Sequence, residues 1–232
     1  MKQCGTDPCV FSLIVKGKVE MILAGHIDGI AMAGSDETCR DFHAALITKF
    51  PTNNLDELTW YNWLCFQARP GTGHTSEVTH KAFVESMLNR FGVNPSSDIP
   101  ATSGVELGLR QEGETKGEWP YREAVGSLMW LSTMTRPDIP NAVRAVAPHY
   151  HNPTADRHWK AGLKIMANLD GTRGMGSTFV SGSGSYSTAY SDADCADKPN
   201  DRRSVSGVRP SVGQEARRGG LRCPQQKQGR SA

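Results

Sequence analysis

Between residues 121 and 171 the apolar positions recur at helical spacing three times in succession. Tyr121, Val125, Leu128 and Met129 share one face of a first helix. A second starts at Pro137, whose fixed φ and missing N–H suit the first helical position; its stripe is Ile139, Val143 and Val146, and Pro148 ends it. A third follows Thr154 as N-cap, carries Trp159, Leu163, Met166 and Leu169, and stops at Gly171. Further upstream, Phe42, Leu46 and Phe50 lie four apart after Ser35, a candidate N-cap, and Phe83, Met87 and Leu88 mark another helix ending near Phe91-Gly92.

Strand spacing dominates the first thirty residues. Residues 9–15 and 19–23 are β-rich runs separated by Lys16-Gly17-Lys18, a polar glycine turn. Asp28-Gly29 between apolar residues is a second hairpin signal, since both types tolerate φ > 0 at a turn. Asp28 is thereby either a turn residue or a catalytic carboxylate. Residues 187–196 alternate weakly and read as a strand carrying Asp192 and Asp194, a solvated acidic strand end or part of a site. Two stretches lose periodicity. Residues 63–80 are polar and bear glycine and proline, which predicts a loop. Residues 94–119, rich in Pro, Ser, Gly, Glu and Thr, predict a linker.

Composition narrows the function classes. The chain has 232 residues, 38% hydrophobic and 22% charged, with a net charge of +2, too small to argue by itself for a polyanion partner. The six cysteines are scattered without a Cys-x-x-Cys pair, which predicts free thiols in a reducing compartment. No apolar run approaches the roughly 18 residues of a membrane span and no signal-peptide pattern opens the chain, so an intracellular protein, cytoplasmic or nuclear, is expected, with no membrane partner and no small-molecule cofactor. His149, His151 and His158 are candidate metal ligands or packing histidines, and neither cysteine nor carboxylate stands near them at zinc spacing. From Arg202 onward Arg202, Arg203, Arg209, Arg217, Arg218, Arg222, Lys227 and Arg230 face a single acid, Glu215. Such a segment cannot build a core and is expected to be disordered over residues 208–232, with the option of contacting nucleic-acid phosphates.

The ordered motifs carry a resemblance. Tyr121-Arg122-x-x-Val125-Gly126-Ser127-Leu128-Met129-Trp130-Leu131, Thr135-Arg136-Pro137-Asp138-Ile139, His158-Trp159, Tyr190-Ser191-Asp192-Ala193-Asp194 and Asp201-Arg202-Arg203-Ser204-Val205-Ser206-Gly207 resemble the Pol polyprotein of copia-type retrotransposons, in a truncated and degenerate form. The likeness covers roughly residues 1 to 207 with an interruption at 63–80. In that family the segment joins reverse transcriptase to ribonuclease H. The resemblance implies an α+β fold: part of a polymerase palm hairpin with helices (residues 1–93), a linker (94–120), a helical connection (121–171), the start of a ribonuclease H-like sheet (172–207) and a basic tail (208–232).

It also implies chemistry. In the family an aromatic and an aliphatic residue precede two adjacent aspartates where this chain has His26, Ile27, Asp28 and Gly29. Asp28 matches the first of those acids and Gly29 replaces the second. Another palm aspartate of the family lies upstream of the stretch that Met1 opens. Asp192 matches the first catalytic aspartate of ribonuclease H and Asp194 the second acid of a Ser-Asp-x-Asp signature. Both activities use paired Mg²⁺ held by several carboxylates. Asp28 and Asp192 are therefore surviving Mg²⁺ ligands of incomplete clusters, and an inactive chain is expected. The implied partners are an RNA/DNA hybrid or single-stranded nucleic acid, with Arg202, Arg203, Arg217 and Arg218 as candidate contacts. Residues 63–80 and the tail are expected to be frameshifted or decayed.

Overall fold

Alternating apolar residues on either side of Lys16-Gly17 fold into an antiparallel meander. In the computed structural model, which describes residues 1–27, 29–69, 75–93, 96–102, 107–114, 119–180, 187–193, 204 and 206–212, strands β1 (Lys2–Gln3), β2 (Val10–Val15), β3 (Lys18–His26) and β4 (Gly29–Gly34) pair in sequence order. Lys16 and Gly17 take φ of 50° and 79°, the left-handed values that turn the chain between β2 and β3. Met21 and Leu23 of β3 are buried, and helix α1 (Asp36–Ile47) packs against β3 and β4. Its cap is the expected one, with the Ser35 hydroxyl accepting from the Thr38 amide. Phe50 falls beyond the helix end and is exposed, contrary to the expected stripe.

The chain divides into two units, Met1–Gln67 with Val78–Gly176 and Ala68–Glu77 with Ser177–Ala232. A second sheet has strands β5 (Trp60–Tyr61), β6 (Leu64–Arg69), β7 (Thr75–Thr79) and β8 (Gly176–Val180), in the order β5-β6-β7-β8. Residues 64–69 and 75–79 thus correct the expected loop. Their Cys, Phe, Val and Thr residues favour a pleated surface, and β6 pairs with β5 from Trp60 opposite Cys65 to Tyr61 opposite Leu64, which supplies what its weak periodicity does not.

The core of the first unit is helical. α2 (Lys81–Phe91), α3 (Tyr121–Met134), α4 (Pro140–Val146) and α5 (Lys160–Gly171) bury Val84, Met87, Leu88, Tyr121, Val125, Leu128, Leu131, Ile139, Val143, Val146, Ile165, Met166 and Leu169 in one cluster. At about 1.5–3 kcal/mol for each fully buried aliphatic side chain, this cluster outweighs the sheet of β1–β4, which contributes only Met21 and Leu23 to the fully buried class. The expected stripes hold with two corrections. Met129 is exposed while Leu131 is buried, and α4 starts at Pro140 rather than Pro137 because residues 135–139 form the corner between α3 and α4. Between α4 and α5 a 3₁₀ turn, Ala147–His149, holds Pro148, and a π-helical turn, Ala155–Trp159, leads into α5. Thr154 precedes that turn in extended conformation without a side-chain cap. Helix α2 ends where expected, on Gly92 at φ 62°.

Parts of the expected linker lie against this cluster. Ser97 donates its amide to the Ala167 carbonyl at 3.0 Å, and Arg157 pairs with Glu114 at 2.6 Å. In the second unit β9 (Ser187–Ala193) pairs antiparallel with β10 (Ser206–Val212), from Ser206 opposite Ala193 to Val212 opposite Ser187. Residues 208–212 were expected to be disordered; backbone pairing with β9 makes them a strand instead. Residues 213–232 lie outside the described residues.

Candidate functional site

The β3–β4 turn is where the resemblance puts polymerase chemistry. His26 pairs with Gly29 across the β3–β4 turn. The left-handed position is Ile27, at φ 53° and 95% exposed, rather than Gly29. A β-branched residue there is a strained choice. Gly29 serves a different purpose. A Cβ on it would lie 3.2 Å from Tyr61 Cε2, so the absence of a side chain admits the tyrosine ring. Tyr61 meets His26 edge-on at 6.4 Å, its hydroxyl is buried without a partner among the described residues, and burial, with Cys9 adding to it, pushes the phenol above its ordinary value. Nothing in the sequence pattern singled out Tyr61. Asp28 itself lies outside the described residues.

Asp192, the ribonuclease H candidate, is exposed on β9 opposite Gly207, and its Oδ1 accepts the Ala193 amide at 2.9 Å. Asp194, Arg202, Arg203, Arg217 and Arg218 lie outside the described residues. Among the described residues no three His, Cys, Asp or Glu side chains form a group that could hold a metal ion. A pair of Mg²⁺ needs several carboxylates on the same site, and the described residues do not offer such a set.

The polar side chains that the structure does bring together lie inside the helical cluster. Arg136 is 1% exposed, and its guanidinium donates to both carboxylate oxygens of Asp138 at 2.8 and 2.6 Å. The same group reaches the carbonyl and hydroxyl of Thr172, just past α5, at 3.2 and 2.8 Å. The neighbouring Thr135 hydroxyl lies 2.8 Å from Nδ1 of His80, the residue before α2. His80 is buried with its Nε2 unpartnered among the described residues, between the edges of Phe83 and Trp130. Such a fork suits a buried guanidinium, because it satisfies the planar donors in the geometry they prefer. The Thr-Arg-Pro-Asp motif therefore works as a corner brace.

The histidines resolve similarly. His158 is fully buried; its Nδ1 accepts the Thr154 amide at 2.8 Å, so the proton sits on Nε2, which donates to the Leu107 and Gly108 carbonyls at 2.8 and 3.0 Å. With both nitrogens engaged, His158 is a packing histidine. His149 stacks on it with centroids 4.0 Å apart, and burial, with His158 and Arg157 acting the same way, pushes the His149 imidazole down to about 4.

Comparison with known proteins supports the resemblance. The chain is 28% identical over 211 residues to the retrovirus-related Pol polyprotein from transposon TNT 1-94 of Nicotiana tabacum, covering 87% of this chain and 16% of that protein. It is 28% identical over 203 residues to the corresponding polyprotein from transposon RE2 of Arabidopsis thaliana, covering 87% of this chain and 14% of that one. A shorter stretch of 88 residues is 36% identical to secreted RxLR effector protein 161 of Plasmopara viticola, covering 38% of this chain and 61% of that protein. No family model and no solved structure matches. The chain spans about one sixth of the length of the two polyproteins and resembles a fragment of a transposon Pol polyprotein.

Burial lowers the imidazole of His80 as well as that of His149. The unfolded chain, with ordinary imidazoles near 6.5, takes up protons that these folded side chains resist. Stability is therefore complete above pH of about 6.5 and falls as the pH drops toward 4. A His149→Gln variant should lose less stability across that window. Urea midpoints at stepped pH check this, and parallel declines for variant and parent would contradict it.

Proposed function

We propose that this chain is the part of a copia-type Pol polyprotein that links reverse transcriptase to ribonuclease H, and that it catalyses neither polymerisation nor RNA cleavage. The reading is supported by the order of motifs across residues 121–207 and by the likeness to plant transposon polyproteins. Gly29 carries the inactivity. It stands where the family has the second aspartate of its pair, and the edge of Tyr61 lies 3.2 Å from where a Cβ would be. A carboxylate fits there only if the ring gives way. When present, paired Mg²⁺ would activate the attacking oxygen and stabilise the leaving one; Asp28 and Asp192 give one matching acid to each site. The experiment is RNA-templated primer extension with Mg²⁺ or Mn²⁺, scored beside release of RNA from an RNA/DNA hybrid. Neither product should rise above a no-protein blank, and clear extension would overturn the inactivity.

A second reading is a non-catalytic nucleic-acid-binding remnant that takes an RNA/DNA hybrid or a single strand through its basic segments. It is favoured by the cationic stretch that includes Arg202, Arg203, Arg217 and Arg218. Because residues 206–212 form a strand, the informative deletion removes only residues 213–232. Losing Arg217, Arg218, Arg222, Lys227 and Arg230 should weaken binding to single-stranded RNA and lower the salt slope by up to about one for each lost phosphate contact. Identical affinity and slope for both forms would sink this reading.

A further inference from the structure

A groove of about 540 Å³ opens at the start of α3, walled by Pro120 and Pro153 and flanked by the side chains of Trp119, Arg122, Tyr150 and His151. Its aromatic rings are both presented and supported. Trp119 is 45% exposed, yet its ring lies nearly parallel to that of Trp159, 5.9 Å away and 12° off. Trp159 is in turn held by Phe91 and by the π-helical turn that delivers it. Tyr150 is 39% exposed, lies against His151 at 3.9 Å and carries the Arg122 guanidinium over its face at 5.7 Å. A ring already stacked on one side loses little conformational freedom when a ligand covers the other.

The charge balance selects the ligand. Glu123, the acid of the groove, is paired with Arg90 at 2.7 Å, and the Arg122 guanidinium over the Tyr150 ring is the positive charge at the groove's edge. A flat, π-rich ligand with an anion attached satisfies both the exposed Trp119 ring and the guanidinium that Tyr150 holds. Base–aromatic stacking and an arginine–phosphate contact are the physical means by which such surfaces take nucleotides. We propose that this groove binds one nucleotide unit, a nucleobase with its phosphate, either free or as part of a single strand. The inference shares its ligand class with the nucleic-acid-binding reading above but involves none of residues 213–232, so each can fail while the other stands.

The test uses the full chain, with adenosine monophosphate, an oligodeoxyadenylate strand and inorganic phosphate as probes, read by quenching of tryptophan fluorescence and by competition against a labelled strand. Trp119→Ala should weaken binding of the first two by about tenfold, and Arg122→Gln by severalfold, with circular dichroism unchanged. Tyr150→Leu, which fills the space without a polarisable ring, should weaken them as well. Loss confined to the strand supports the groove with a strand as its source, and loss for both supports either source. The proposal is overturned if the three variants bind like the parent or if inorganic phosphate competes as well as the nucleotide.

Discussion

Arg136 is the constraint on which the helical unit depends. A guanidinium buried to 1% exposure is tolerable only when its donors are satisfied, and its partners among the described residues belong to the α3–α4 corner or to the end of α5. Its fork on Asp138 fixes the corner, and its contacts with Thr172 fix where α5 must finish. Thr135 extends the brace to His80 and so to the first turn of α2. Ile139, fully buried one residue beyond Asp138, is carried into the core by the same corner. The apolar cluster supplies most of the stabilisation, and the brace decides which arrangement of the four helices that cluster adopts.

This division of labour explains how the helical part of the chain keeps an organised interior. The helices α2–α5 meet their partners within residues 80–172, whereas the hairpin of β9 and β10 buries none of its described side chains. The N-terminal sheet is intermediate, with α1 against it and Ile14, Val15, Val19 and Ile22 still exposed. The brace motif Thr-Arg-Pro-Asp lies within that helical cluster.

The helices were legible because a repeating apolar stripe is a local signal that tertiary packing reinforces; Ile139, Val143 and Val146 were each placed correctly from spacing alone. What escaped depended on a partner strand. Strands β6 and β7 have little periodicity of their own, and β10 contains Pro210 and reads as polar tail until β9 is set beside it. The burial of Arg136 was illegible because an arginine in a corner reads as solvated unless Asp138 and Thr172 are known to converge on it. Asp28-Gly29 announced a hairpin correctly, yet Gly29 lies in β4 rather than in the turn, and the reason for Gly29 is a tyrosine more than thirty positions away. Asp192 was placed on a strand as expected, and Trp119 and Tyr150 could have been noticed as aromatic residues beside Pro120 and between two histidines.

The most direct measurement is native-state hydrogen exchange with urea unfolding on Arg136→Ala beside the parent chain. Removing the guanidinium leaves Asp138 with some access to water, so the account predicts a loss at the lower end for a broken buried pair, about 3 kcal/mol. Protection should fall together in α2, α3, α4 and α5 while β1–β4 change little. A loss below about half a kilocalorie per mole, the size of an ordinary surface substitution, or a fall confined to residues 135–139, would show that the four helices hold their arrangement without the brace.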